Sequence, residues 1–320
     1  MKIPEEPSSA GGIPPYAFAR GIRGRYAAPP RNIHATKPPT AVQHVWAPLD
    51  EFPWQGSGFQ LADDTWIDSR NPAGIWSQDK LAALLSSEDR SLCEGTRHWL
   101  HVVREVHSEL SAKEGVNTFL LALWIVCPTA TQAPLRFQTT DVESGVFHVV
   151  DRFQWIPGYA CDRIAAKDLE SVAAILPALR KHYVAGRRLR NALVLTFRGG
   201  VSVDWQSAFI CLAAATETLL TYSSAPGVTE RLARAYAKIA GAKWADKDAA
   251  AAHFKRLYSL RSDIVHGRAY DRHDPERNLR DLADFSEILR TLWGIVLGSE
   301  DLRTQLELDD SGRERALADV

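Results

Sequence analysis

Residues 257–271 read LYSLRSDIVHGRAYD. With Phe254 upstream, Leu257, Tyr258 and Val265 recur at helical spacing and so share one face of a helix. Arg261 falls in phase with them, seven residues after Phe254 and four before Val265. A guanidinium keeps its proton at any relevant pH, so on an apolar face it needs a carboxylate or phosphate partner, or it must reach out to solvent. His266 follows five residues after Arg261. On a straight helix turning about 100° per residue, the two side chains would point roughly 140° apart. They converge only if the helix ends or bends near His266, and Gly267 is the residue type favoured just past a helix end.

An earlier segment supplies a carboxylate. DWQSAFICLAAATETLLTYSS, 204–224, reads as a long apolar helix capped by Asp204. Phe209, Ile210, Leu212, Ala213, Leu219 and Leu220 make its apolar side, and Glu217 sits at the edge of that side. A Glu217–Arg261 pair is expected; if both groups were fully buried, losing the carboxylate would cost roughly 3–5 kcal/mol. Such a pair is consistent with a purely structural role as well as with a site.

The rest of the chain bounds the reading. It has 320 residues, 45% hydrophobic and 24% charged, as in soluble globular proteins. The net charge of −1 gives no overall nucleic-acid signal, so any such contact must be local. Cys93, Cys127, Cys161 and Cys211 are scattered and form no CxxC or Cys/His cluster, which speaks against structural zinc and a secreted disulfide scaffold. No metal and no cofactor is expected, and a reducing cytoplasm is the default location. The longest apolar run, FLLALWIV at 119–126, is far short of the roughly 20 residues that span a bilayer. The N-terminus carries Glu5, Glu6 and prolines where a signal peptide would have its apolar core.

The expected fold class is mainly α: a C-terminal helical bundle preceded by a mixed α/β region. Residues 1–44 are rich in Pro, Gly and Arg and read as a tail, or an arm that orders against a partner. The α/β region is expected over 45–164, with short strands or irregular structure to about Asp68, a helix from Ser77, and an amphipathic helix over 93–110. On that last helix His98, His101 and Arg104 would form a solvated face. LRFQTT and GVFHVVDRFQWI read as strands flanking a turn at Glu143–Gly145. The bundle is expected over 165–299. Its helices begin at AKDLESVAAILPALRKHY, bent at Pro177; one over GVTERLARAYAKIAGA, 227–242, opens with a capping box at Thr229, and the last is capped by Asp274 and Pro275. Residues 300–320 read as a loose polar tail.

The ordered set resembles the HEPN superfamily, in particular its Apea-like branch. What carries the resemblance is an apolar helix with AAATETLL, a second helix with LYSLRSDIVHGR, an R-x4-H motif at Arg261 and His266, then Gly267 and a final helix. It covers about residues 165–298; residues 1–164 carry no such resemblance. It implies an all-α bundle that dimerises to bring two R-x4-H motifs together. Many members are metal-independent endoribonucleases of antiphage, abortive-infection or toxin systems. Others would be silent interaction or ligand-sensing modules within a larger defence complex. Metal-free RNA cleavage needs a base for the 2′-OH, which a neutral His supplies, and positive charge at the phosphorane oxygens, which Arg supplies. The implied catalytic set is Arg261, His266, Ser262 and Asp263, supported by Glu217, Tyr258 and Gly267. Active members often carry Asn, Asp or His directly after the Arg; here that residue is Ser262, with Asp263 one further. RNA contacts are expected from the basic stretch 181–200, which holds Arg187, Arg188 and Arg190 and no acidic residue, and from Arg268 and Arg272.

Overall fold

The computed structural model describes residues 41–69, 85–141, 148–152, 161–202, 204–222, 227–243, 246–268 and 274–318. The expected helix from Ser77, the turn at Glu143–Gly145, residues 1–40 and Arg272 lie outside them. The described residues are mainly helical, with a small N-terminal antiparallel sheet.

Six strands form the sheet: β1 (Val42–Pro48), β2 (Gly58–Ala62), β3 (Thr65–Asp68), β4 (Trp99–Glu105), β5 (Leu135–Thr139) and β6 (His148–Arg152). Their order is β2-β3-β4-β1-β5-β6, and every pairing is antiparallel. Successive side chains alternate between two faces. Val45, Leu100, Val102 and Ile67 join the main core beneath the helices α2 (Ala112–Val126) and α3 (Ala166–Ala185). Gly115 lets α2 lie close on the sheet, since a Cβ there would stand 2.7 Å from Cγ1 of Val102. The opposite face carries a smaller cluster of Trp46, Trp99, Leu135 and Phe137 with Cys93 of α1 (Ser87–Gly95).

Residues 93–110 are therefore not one helix. Helix α1 ends at Gly95 and β4 begins at Trp99. The apolar residues of this segment fit a helical period, but a strand covered on both faces buries Trp99, Leu100 and Val102 alike, which hides the two-residue alternation. His98 and His101 are not on a solvated helix face either. His98 is buried and its Nε2 lies 2.8 Å from the Gly56 carbonyl oxygen. His101 stacks on Trp46 with ring centroids 3.6 Å apart, and its Nε2 lies 3.1 Å from Nδ1 of His44.

Burial, and then the neighbouring His44, press the His101 imidazole down to about 3 from an ordinary 6.5. The unfolded chain takes up this proton as pH falls through about 6.5, whereas the folded one resists until about 3. Stability should therefore be lost on the acid side of neutrality. At pH 5 this one group is expected to cost about 1–2 kcal/mol. Denaturant titration at pH 7 and pH 5 should show a smaller acid loss in His101→Phe than in the wild type.

The helical part comprises α3, α4 (Arg188–Gly200), α5 (Trp205–Leu220), α6 (Val228–Ala240), α7 (Lys247–Val265) and α8 (Pro275–Gly298), followed by α9 (Glu300–Leu306) and α10 (Asp310–Ala318). Helices α4 and α5 lie against each other, as do α6 and α7, while α8 touches α2, α3, α5, α6 and α7. Local signals account for several ends. The Asp204 carboxylate accepts from Ser207 N–H at 2.7 Å, and Asp274 caps α8 with Pro275 in its first turn. Helix α3 runs through Pro177. The capping box expected at Thr229 is absent; Gly227, with φ +81°, is the cap, and Thr229 lies inside α6.

Residues 300–318 are no loose tail. Leu306, Leu317 and the Arg313 guanidinium are buried. The Glu307 carboxylate accepts from the backbone N–H groups of Arg187, Arg188 and Leu189, capping the start of α4. Composition hid this because the three anchoring residues are spaced among exposed acids. No helix among the described residues is long and apolar enough to cross a membrane.

Candidate functional site

Helix α7 starts at Asp246, whose carboxylate accepts from Ala249 N–H at 2.5 Å. It buries Ala250, Phe254, Leu257, Tyr258, Leu260 and Ile264. The seam thus closes on Ile264; Val265, expected in it, is 56% exposed. The buried stripe runs 250, 254, 257–258, 260, 264, with Arg261 at its edge, and position 265 is turned away.

Arg261 stands at the rim of that stripe and meets α5 there. Its Nε lies 3.1 Å from Glu217 Oε1, and Tyr258 donates its hydroxyl to the same oxygen at 2.6 Å. Tyr258 is buried, and burial, then the Glu217 carboxylate, push its phenol well above the usual range. The Arg261 side chain is 43% exposed and that of Glu217 27%. The pair is therefore a rim contact between two helices and not the buried charge pair the apolar phase suggested. Exposed guanidinium–carboxylate pairs contribute little, because water screens them. Glu217→Gln is expected to cost about 1 kcal/mol and shift the unfolding midpoint by about 2 °C. Thermal unfolding followed by circular dichroism measures this.

The helix end forms as expected. His266 is the C-cap, its N–H donating to the Ser262 carbonyl at 3.0 Å, and Gly267 follows with φ +73° and its N–H on the Ile264 carbonyl at 3.0 Å. Only glycine adopts this left-handed conformation without strain. Arg268 folds back over the last turn, with Nη2 donating to Ser262 Oγ at 3.3 Å and Nε lying 3.4 Å from Asp263 Oδ1. His266 is exposed, and no hydrogen bond joins it to Arg261 among the described residues.

Of the expected RNA-contacting residues, Arg187 and Arg190 at the start of α4 are exposed. Arg188 is committed to structure: its Nη1 donates to the carbonyls of Thr218 and Thr221, each at 3.0 Å, and its Nη2 lies 3.7 Å from Asp310. Those carbonyls belong to the end of α5, so Arg188 ties the basic start of α4 to the turn that carries Glu217. The described residues hold no group of three or more His, Cys, Asp or Glu side chains able to bind a metal ion.

One charged cluster escaped the sequence reading. Asp64, between β2 and β3, takes Arg180 Nη1 on Oδ1 and Arg104 Nη2 on Oδ2, both at 2.7 Å. Arg180 is buried and also donates to Thr65 Oγ1 at 2.7 Å and Thr118 Oγ1 at 3.4 Å. Its only sequence signal is position: it stands on the stripe of α3 that holds Leu169, Val172, Leu176 and Leu179.

Comparison with family models, with curated proteins and with solved structures gives no match for this chain.

Proposed function

We propose that the chain is a metal-independent endoribonuclease of the HEPN type, acting in the cytoplasm in antiphage defence, abortive infection or an RNA stress response. The observation that carries the reading is at the end of α7. An exposed imidazole at the helix cap follows a guanidinium that is 43% exposed and is held by a carboxylate through Nε alone among its described contacts. The remaining guanidinium nitrogens of Arg261 are then free to approach a phosphate.

In this mechanism neutral His266 takes the proton of a ribose 2′-OH. The 2′-oxygen attacks the adjacent phosphorus, and the bond to the 5′-oxygen breaks. Arg261 donates to the non-bridging oxygens, where negative charge accumulates. The 5′-oxygen takes its proton from water or from an imidazolium. The products are a 2′,3′-cyclic phosphate and a 5′-OH. Arg187, Arg190 and Arg268 would supply phosphate contacts. A homodimer joined through the bundle would bring two such helix ends together.

A second reading is favoured by one observation: Arg261 is engaged with Glu217 and not hydrogen-bonded to His266. This suits a silent interaction or ligand-sensing module, homodimeric or bound to another defence protein. The two are separated by incubating purified protein with total RNA in EDTA. The nuclease reading expects fragments with cyclic phosphate ends. Cleavage that EDTA abolishes would refute it, and a sedimentation profile of active monomers would refute the composite site.

A further inference from the structure

Cys127 and Cys161 are far apart in sequence, yet the fold sets them side by side. Cys127 closes α2, its N–H donating to the Leu123 carbonyl at 2.7 Å. Cys161 precedes α3, and its own N–H donates to the carbonyl of Pro128 at 2.5 Å, which fastens it beside the end of α2. The Cys127 sulfur lies 3.9 Å from the carbonyl oxygen of Arg163, two residues past Cys161. Arg290 of α8 completes the corner. Its Nε donates to the Trp124 carbonyl at 2.6 Å and its Nη2 to the Val126 carbonyl at 3.2 Å, while its Nη1 pairs with the Glu287 carboxylate. Cys127 is buried and Cys161 is partly exposed.

We propose that Cys127 and Cys161 are a redox modification site that forms a reversible intramolecular disulfide, with a hydroperoxide as the oxidant. The pair has the features this chemistry needs: two thiols that the fold brings into one corner, one of them reachable from solvent. The Cys161 thiolate attacks a peroxide oxygen; the O–O bond breaks, leaving a sulfenic acid and, with hydrogen peroxide, water. The Cys127 thiolate then attacks the Cys161 sulfur, the S–O bond breaks, and a second water leaves. The two thiols are oxidised to one S–S bond and the peroxide is reduced to two waters.

The two steps should differ in rate. Burial, first, then Cys161 and Asp168 push the Cys127 thiol up to about 12, against the opposing charge of Arg290. Few Cys127 thiolates exist at neutral pH, so the sulfenic acid on Cys161 waits to be resolved, and alkaline pH shortens the wait. The bond closes a covalent loop around β5 and β6 and ties the end of α2 to the start of α3. By restricting the unfolded chain it should raise the unfolding midpoint.

The test treats the full-length protein with hydrogen peroxide near pH 7 and about pH 9, then maps a non-reducing digest by mass spectrometry. The expected product is a Cys127–Cys161 linked peptide, formed faster at the higher pH and released by dithiothreitol. Dimedone present during oxidation should tag Cys161 ahead of Cys127, and Cys161→Ser should remove the link. Over-oxidation of Cys161 without a link would overturn the proposal. So would links to Cys93 or Cys211, or links between chains.

Discussion

Asp64→Ala is expected to destabilise the fold by about 3–5 kcal/mol, because it strands the Arg180 guanidinium, 8% exposed, in a site that has lost its carboxylate. The alanine also leaves Arg104 and Arg180 facing each other without a shared anion. The Asp64 side chain is itself 29% exposed, so water enters partway and the effect should fall at the lower end of that range. For a domain of this size the unfolding midpoint should drop by roughly 6–15 °C. The cause can be isolated. Arg180→Met keeps most of the volume and removes the charge, so its cost should be smaller. The double variant Asp64→Ala/Arg180→Met should then be more stable than Asp64→Ala alone. A midpoint for Asp64→Ala within about 2 °C of wild type would show that the cluster is not coupled to folding. The consequence is architectural: Arg180 sits on α3 and Asp64 in the turn between β2 and β3, so this pair pins the sheet to the helix beneath it.

Why that cluster was not legible, while Glu217–Arg261 was, follows from where the partners lie. Arg180 and Arg261 carry the same signal, a cation on an apolar stripe. For Arg261 the partner also stands on an apolar helix, where periodicity betrays it. For Arg180 the partner is in a turn, where an Asp is commonplace and periodicity says nothing. Helix starts at Asp204 and Asp274 were readable because capping is decided within four residues. The strand β4 was not, because burial on both faces erased the alternation that would have marked it. Nor was the anchoring of residues 300–318, since Glu307 and Arg313 act on backbone groups remote in sequence: the start of α4 and the Thr221 carbonyl, 3.2 Å from Arg313 Nε. Phase placed Arg261 correctly but misjudged its burial. Periodicity gives direction from the helix axis and not the depth of the neighbouring helix over it, and α5 covers the stripe only to its rim.

If the proposed activity is right, His266→Ala and Arg261→Ala should each lower the RNA cleavage rate by about 10²–10⁴ while leaving the far-ultraviolet circular dichroism unchanged. The two losses arise differently. His266 is exposed and, among the described residues, makes only its backbone cap bond, so alanine there removes a proton acceptor and little else. Its unfolding midpoint should stay within about 1 °C of wild type. Arg261→Ala also frees Glu217, which keeps the Tyr258 hydroxyl at 2.6 Å and remains 27% exposed, so its midpoint should fall by no more than about 2 °C. Arg261→Lys is the sharper test. It keeps a charge able to pair with Glu217 but loses the planar fork that meets two phosphate oxygens, so stability should recover and rate should not. Because one group delivers charge to the same transition state from which the other removes a proton, the double alanine variant should lose far less than the product of the single losses. Cleavage retained in His266→Ala would remove the imidazole from the chemistry. If Arg261→Ala lowered stability by several kcal/mol, the residue would be a structural element, and the weight would pass to the interaction-module reading.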